Sequence, residues 1–329
     1  MLNWGIASTG EMAKNMATAF NFDNKKRQLA VSSRNEDQAR KFATQYGIHN
    51  SYGSFAAMLE DTKIDVVYIA GPHTTHYDYA RLALKAGKNV LGEKPLTINF
   101  KQSQELANIA KNQNLFLMEA MWMRFFPAME NLKKMIKQGE LGEIHFVNAD
   151  FCVKPDYDLS SRLFDRKLGG GGLLDLGVYP LSLIQWILGN FDSVTGVANL
   201  GEAAVDINSV VCGKCVNNSL FTFSCGFNAW KPREAHIVGD KAEIYIPEIF
   251  FRPDRFIIRH QKKQDLELNF PFDGNGYIHE IRHVEDCISQ GKIESPIMPL
   301  SDSLEILRIA DQLRHQWGVI YPCEEQHLE

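Results

Sequence analysis

Apolar and polar positions follow two regimes along the chain. Up to about residue 120, short apolar runs alternate with stretches of helical spacing. The runs 2–7, 28–33, 64–70, 89–92 and 115–118 read as strands. Helical spacing covers 11–20, 35–46, 77–86 (closed by Gly87) and 101–111. The run 64–70 is almost continuously apolar, as a strand covered on both faces should be. Strands separated by helices imply right-handed crossovers and a doubly wound parallel sheet.

The pattern changes near Glu119. One more helix spans 127–138, ended by Gly139, and 144–153 begins a series of longer strands. Strand patterns follow at 193–200, 209–215 and 220–228, with hairpins about Gly239-Asp240 and Lys262-Lys263. Leu266, Leu268 and Phe270 alternate with Glu267 and Asn269, the mark of a sheet with unlike faces. A large, mainly antiparallel open sheet covered by helices on one side leaves its other face for a second subunit. The expected division is a first α/β domain over 1–121 and a substrate-binding, dimerising α/β domain over 122–302. A final amphipathic helix over 303–317 is expected to return to the first domain.

Composition adds boundaries. A length of 329 residues exceeds one ordinary core, so two domains are expected. With 45% hydrophobic residues, 23% charged residues and a net charge of −5, nothing supplies a basic footprint for nucleic acid or an anionic membrane. Neither a signal-peptide pattern nor an apolar run of about 18 residues is apparent. Six scattered cysteines fit reduced thiols in the cytoplasm. Cys212 and Cys215 form the one CxxC, but on a strand side chains three apart point to opposite faces, so no metal site is expected.

Four stretches carry chemistry. Gly5-Ile6-Ala7-Ser8-Thr9-Gly10 fits G-x-G-x-x-G with alanine in the second glycine place, and joins the first strand to the helix that opens with Glu11 and Met12. This is the dinucleotide fingerprint of a Rossmann sheet, with pyrophosphate placed at a helix N-terminus. Where an acid would read a ribose 2′-hydroxyl, the second strand ends in Ser33-Arg34, a hydroxyl and a guanidinium suited to a 2′-phosphate. NADP is therefore favoured over NAD. Gly71-Pro72-His73-Thr74-Thr75-His76 follows the third long strand at the same edge, where His73 and His76 would face the nicotinamide ribose.

The remaining two stretches supply proton chemistry. Glu93-Lys94-Pro95 holds a lysine extended at the carboxyl end of a strand, where open α/β sheets place ligands. Gly169 to Gly172 permit close backbone approach, and Asp175 and Tyr179 follow four residues apart. Pro180 confines any helix there to a first turn or a kink. Each stretch has an ordinary structural alternative: a surface ion pair at Glu93-Lys94, an exposed loop arginine, helix-start histidines, a core Asp–Tyr hydrogen bond.

Together with Met118-Glu119-Ala120-Met121-Trp122-Met123-Arg124-Phe125-Phe126-Pro127, these motifs resemble the glucose–fructose oxidoreductase/inositol dehydrogenase (Gfo/Idh/MocA) family. The branch with dihydrodiol and NADP-dependent D-xylose dehydrogenases is the most similar. The resemblance implies a Rossmann domain, an open-sheet domain that forms a homodimer or higher oligomer, and a Lys94–Pro95 bond that is cis. It places Lys94 at the nicotinamide, Trp122 and Phe151 on the substrate pocket walls, and Arg162 near the cofactor. Asp175 becomes a substrate-binding acid and Tyr179 the acid/base, where many relatives have histidine. The implied activity is hydride transfer between NADP(H) and a carbinol carbon of an aldose or vicinal diol. A dinucleotide-sensing regulator and a sugar–sugar oxidoreductase with retained cofactor stand as alternatives.

Overall fold

The computed structural model describes residues 1–23, 25 and 27–325. Its strands are β1 (Trp4–Ala7), β2 (Leu29–Ser32), β3 (Asn50–Tyr52), β4 (Val66–Ile69), β5 (Asn89–Glu93), β6 (Leu117–Ala120), β7 (Ile144–Cys152), β8 (Phe191–Leu200), β9 (Asp206–Cys215), β10 (Leu220–Gly226), β11 (Ala235–Gly239), β12 (Glu243–Ile246), β13 (Arg255–Arg259) and β14 (Leu266–Asn269). Its helices are α1 (Glu11–Phe22), α2 (Glu36–Tyr46), α3 (Phe55–Leu59), α4 (His73–Lys85), α5 (Phe100–Gln113), α6 (Pro127–Lys137), α7 (Val178–Leu188), α8 (Tyr277–Ser289), α9 (Leu300–Trp317) and α10 (Pro322–Glu325).

The chain forms two compact units, one of Met1–Trp122 with Asp273–Leu304, the other of Met123–Phe272 with the segment from Glu305 onward. In the first, six strands pair in parallel in the order β3-β2-β1-β4-β5-β6. The order reverses between β1 and β4, so their carboxyl ends flank the crevice where doubly wound sheets take ligands. β1, β2 and β4 are buried along their whole length, which explains why β1 and β4 carry no polar side chain that needs water. Helix ends follow local chemistry: the Asn35 side chain accepts from Gln38 N at the start of α2, and Gly47 closes it at φ 68°.

The second unit holds an eight-stranded sheet in the order β14-β13-β12-β11-β7-β10-β9-β8. Every pair is antiparallel except β7–β10. Val147, Ala149, Val211, Phe221, Phe223, Ile237 and Ile244 fill its buried face. Asn148, Asp150, Val210, Thr222 and Ser224 alternate with them on the more open face, as the two-residue period requires.

Several elements differ from the sequence reading. β3, α3 and α8 had no counterpart in it. β3 is three residues long, too short for a period to show. The first break falls after Trp122, one residue from the expected 121/122, but 273–304, most of which was expected in the second domain, joins the first unit. Buried charge anchors α8 there: Arg27 meets Glu285 at 2.6 Å and Arg282 meets Asp23 at 2.8 Å. The helix expected over 303–317 is divided: up to Leu304 it belongs to the first unit, and from Glu305 on to the second, where Gln312 donates to Val194 O (2.8 Å) and Trp317 to Gly196 O (3.0 Å). The stretch Arg166–Leu188 is long and apolar enough to cross a membrane by length and composition, yet 89% of its most apolar window is buried in the fold, as in a core helix. Among the described residues no cluster of His, Cys, Asp or Glu could hold a metal, and Cys212 is exposed while Cys215 is buried.

Candidate active site

The fingerprint lies where the spacing places it. Gly5 and Ala7 are in β1, Ser8, Thr9 and Gly10 form the turn, and Glu11 and Met12 open α1. Ser8 adopts φ 141°, a backbone that side chains rarely take, and its Oγ accepts from Gly10 N at 3.0 Å. No side chain caps α1, so its first-turn amides retain capacity for an anion. Glu11 is exposed and paired with Lys14 (3.1 Å). At the end of β2, Ser33 Oγ accepts from Asn35 N (3.2 Å) and shapes the turn that presents Arg34. Among the described residues Arg34 has no hydrogen-bond or ion-pair partner, and it is exposed.

The stretch after β4 is helical earlier than its pattern suggests. α4 begins at His73 rather than near Tyr77, with Pro72 as N-cap. Pro72 O receives both Thr75 N (2.8 Å) and Thr75 Oγ1 (2.7 Å), and a Cβ on Gly71 would strike that same threonine hydroxyl. His73 and His76 are both buried, with ring centroids 5.8 Å apart. His76 bridges two backbone carbonyls, Nδ1 to Pro95 O at 2.8 Å and Nε2 to Gly71 O at 2.9 Å. Burial pushes its pKa down to about 4, reinforced by His73 and Lys94 and opposed by the two carbonyls. A neutral imidazole donates to only one of them at a time. It ties the β4–α4 turn to the lysine-bearing turn.

That second turn is held by buried acids. The Lys94–Pro95 bond is cis, as the resemblance implies. Glu93 Oε1 accepts from Tyr68 Oη at 2.5 Å and Oε2 accepts from Lys94 N at 3.1 Å. Glu119 Oε1, from the end of β6, accepts from Leu96 N at 3.1 Å. Burial raises the Glu93 pKa, while Tyr68 and the Lys94 charge pull it back. The half-buried Lys94 thus follows a carboxyl from which water is excluded. Trp122, also in the first unit, stacks on Tyr277 of α8 with centroids 4.4 Å apart. Tyr277 Oη in turn points at Met12 Sδ (3.4 Å), which sets α8 against the start of α1.

The second unit assembles its own cluster. Phe151, near the end of β7, lies 5.4 Å from the Tyr179 ring and stacks on Phe251 at 4.2 Å. Phe251 also meets Tyr179 at 5.1 Å, so the phenol emerges from an aromatic wall. Arg162 Nη1 donates to Asp175 Oδ1 at 3.2 Å, with Asp175 buried and the arginine side chain 49% exposed. Asp175 belongs to a π turn, Leu173–Gly177, that runs straight into α7. Val178 N donates to Leu173 O, a five-residue step, just ahead of Pro180, whose ring carries no N–H for the helix ladder.

A family profile described as "Oxidoreductase family, NAD-binding Rossmann fold" (GFO_IDH_MocA) matches residues 2–121, and one for the GFO/IDH/MocA C-terminal domain matches 129–245. The chain belongs to the Gfo/Idh/MocA family. Trans-1,2-dihydrobenzene-1,2-diol dehydrogenase from Xenopus tropicalis is 34% identical over 97% of this chain and 99% of that protein. The enzyme of the same name from Homo sapiens is 30% identical over 99% of each. Among solved structures, the 3-ketoreductase KijD10 from Actinomadura kijaniata, in complex with NADP and TDP-benzene, is 24% identical (TM-score 0.86, 95% of this chain and 97% of that one). Levoglucosan dehydrogenase in complex with NADH and levoglucosan is 22% identical (TM-score 0.86, 96% and 97%). At these identities the two structures speak for the fold.

Within this Gfo/Idh/MocA chain, the motif residues fall into two groups by unit. Gly5 to Met12, Ser33, Arg34, Gly71 to His76, Glu93, Lys94 and Trp122 belong to the first, and Phe151, Arg162, Asp175 and Tyr179 to the second. Sequence reasoning missed Tyr68, Tyr277, Glu280 and Phe251. Tyr68 and Phe251 sit in apolar runs that look like ordinary core, and α8 is far along the chain from the strands it meets. Glu119 lay inside a quoted motif without a role; here it pins the turn after Pro95.

Proposed function

We propose that this chain is an NADP(H)-dependent oxidoreductase that moves hydride between nicotinamide C4 and a carbinol carbon of a vicinal diol or an aldose. The observation that carries this reading is Tyr179 held in the Phe151–Phe251 wall, on one helical stretch with the Arg162-paired Asp175. The residues fit a dinucleotide. An uncapped helix start after the glycine turn suits the pyrophosphate, and the unpaired, exposed Arg34 suits a 2′-phosphate. When bound, the cofactor supplies the hydride acceptor or donor.

Aromatic faces bind the apolar face of a ring, and the Asp175 carboxylate accepts from substrate hydroxyls. Tyr179 takes the hydroxyl proton during oxidation. The Lys94 ammonium stabilises the developing alkoxide. Glu93, fixed by Tyr68, tempers that charge. The relatives' printed name, trans-1,2-dihydrobenzene-1,2-diol dehydrogenase, supports the diol side of this reading. The six free cysteines fit a cytoplasmic enzyme, and the partly exposed sheet face, with Val197 opposite Val210, fits a homodimer that sedimentation at micromolar concentration would detect.

A panel of trans-dihydrodiols, aldoses and inositols with NADP+ and NAD+, followed at the reduced-cofactor absorbance, tests the reading. Turnover with NADP+ and a diol or aldose is expected. Tight NADP+ binding without turnover of any panel member would replace it with a dinucleotide sensor.

A further inference from the structure

Asp206, the first residue of β9, is fully buried, and its carboxylate lies against the glycine-rich turn. Oδ2 accepts from Leu173 N at 2.6 Å, and the Gly172 amide also points to the carboxylate. A Cβ on Gly171 would come within 2.5 Å of Oδ1, and one on Gly172 within 3.4 Å of Oδ2. Gly171 is also at φ +119°, where a side chain is strained. Gly171 is thus explained by this carboxylate, while a Cβ on Gly172 would first meet Gly226 Cα of β10 at 3.2 Å. A third, Gly170, receives the Tyr321 hydroxyl on its carbonyl (2.7 Å), and a Cβ there would meet Leu163 O at 2.7 Å.

Oδ1 is buried without a hydrogen-bond partner among the described residues, so the acid is held there at a cost. A carboxylate serving stability alone would be better exposed or fully paired. Leu173, whose amide it receives, opens the π turn that contains Asp175 and leads to Tyr179.

We propose that Asp206 is a positioning residue for the substrate pocket: its carboxylate clamps the Gly171–Leu173 turn and so sets the phase of the helix that presents Asp175 and Tyr179. The inference rests on the roles given to those two residues under the proposed function. The groups facing the Asp206 carboxylate are the Leu173 and Gly172 amides, its own amide, the Arg314 guanidinium of α9, the Tyr321 hydroxyl and the Cys225 thiol of β10. Arg314 is itself shared with Glu324 (2.8 Å) and Asp311 (2.6 Å). Burial raises the Asp206 pKa to about 7 against the pull of the amides and Arg314. The clamp accordingly tightens as pH rises through neutrality.

Asp206→Asn keeps the shape and removes the charge. The expected result is a fall in kcat/KM of roughly 10- to 150-fold, the worth of a hydrogen bond to a charged group, with NADP+ affinity unchanged. Wild-type kcat/KM should rise with pH to a plateau above about 7, and the variant should lack that rise. Hydrogen-exchange protection of the 173–179 amides, corrected for intrinsic rates, reads the clamp without turnover. It should grow from pH 6 to pH 8 in the wild type and stay flat in the variant. Flat wild-type protection overturns the proposal, as does an unaltered pH profile in the variant. If no diol or sugar is turned over, the functional reading fails while the exchange measurement still decides Asp206. If the variant does not fold, the wild-type pH dependence alone decides it.

Discussion

Tyr68 donates its phenol to Glu93 at 2.5 Å, with both residues buried, one position ahead of Lys94. The bond crosses between the neighbouring strands β4 and β5, so the sheet itself fixes the acid beneath the lysine. Burial raises both pKa values, and the phenol is one of the groups that keeps Glu93 from rising further. Tyr68→Phe should cost about 1.5–3 kcal/mol in urea unfolding, the worth of a hydrogen bond to a charged group. It should also lower kcat while leaving NADP+ affinity in place. Unchanged stability and kcat would remove Tyr68 from the support of Lys94.

Tyr179→Phe removes a hydroxyl and nothing else. If that hydroxyl moves the substrate proton, kcat should fall ~10²–10⁴-fold with little change in NADP+ affinity. Lys94→Ala should cost at least as much, and the double variant far less than the product of the two. Near-normal kcat in Tyr179→Phe beside an inactive Lys94→Ala would make the lysine the acid/base.

Arg34 stands exposed at the end of β2, without a partner among the described residues. Arg34→Ala should weaken NADP+ by roughly 10- to 150-fold, the equivalent of one charge-assisted contact, and NAD+ much less. Titration of both cofactors by fluorescence measures the difference. Equal losses would place the 2′-phosphate elsewhere.

Glu280 of α8 is buried with neither carboxyl oxygen hydrogen-bonded among the described residues. Burial first, then the nearby Glu93, pushes its pKa well above the ordinary 4.5. The folded state therefore holds its proton where the unfolded chain releases it. Stability from this group is complete below about pH 4.5 and is lost as pH rises toward the folded pKa. Glu280→Gln should flatten that decline, so its unfolding midpoint in urea should gain on the wild type between pH 5 and pH 8. A constant difference across that range would show that Glu280 does not titrate as its burial demands.

Much of the dinucleotide side was legible because its signals are local. A glycine turn between a strand and a helix, a serine–arginine end to β2, and Pro95 after Lys94 each fix backbone within a few residues. The start of α4 was read late because His73, Thr74 and Thr75 are weak helix formers, and Pro72 supplies the start that the apolar period does not mark. The tetraglycine was legible as a close approach but not for what approaches. Its neighbour, Asp206, lies on another strand.

The sequence by itself determined the alternation of strand and helix, the change to a two-faced sheet, the fingerprint, and the residue types at 34, 94, 175 and 179. Those features follow from periodicity and from backbone limits that act over one turn or one strand. Tertiary structure alone decided that α8 joins the first unit and that α9 lies along β8. It also decided that Tyr68 and Glu280 become buried neighbours of Glu93, and that Asp206 fills the glycine turn. The reason is physical. Such contacts depend on strand order and register, where a slip of one residue turns a side chain to the opposite face, and no local pattern carries that information.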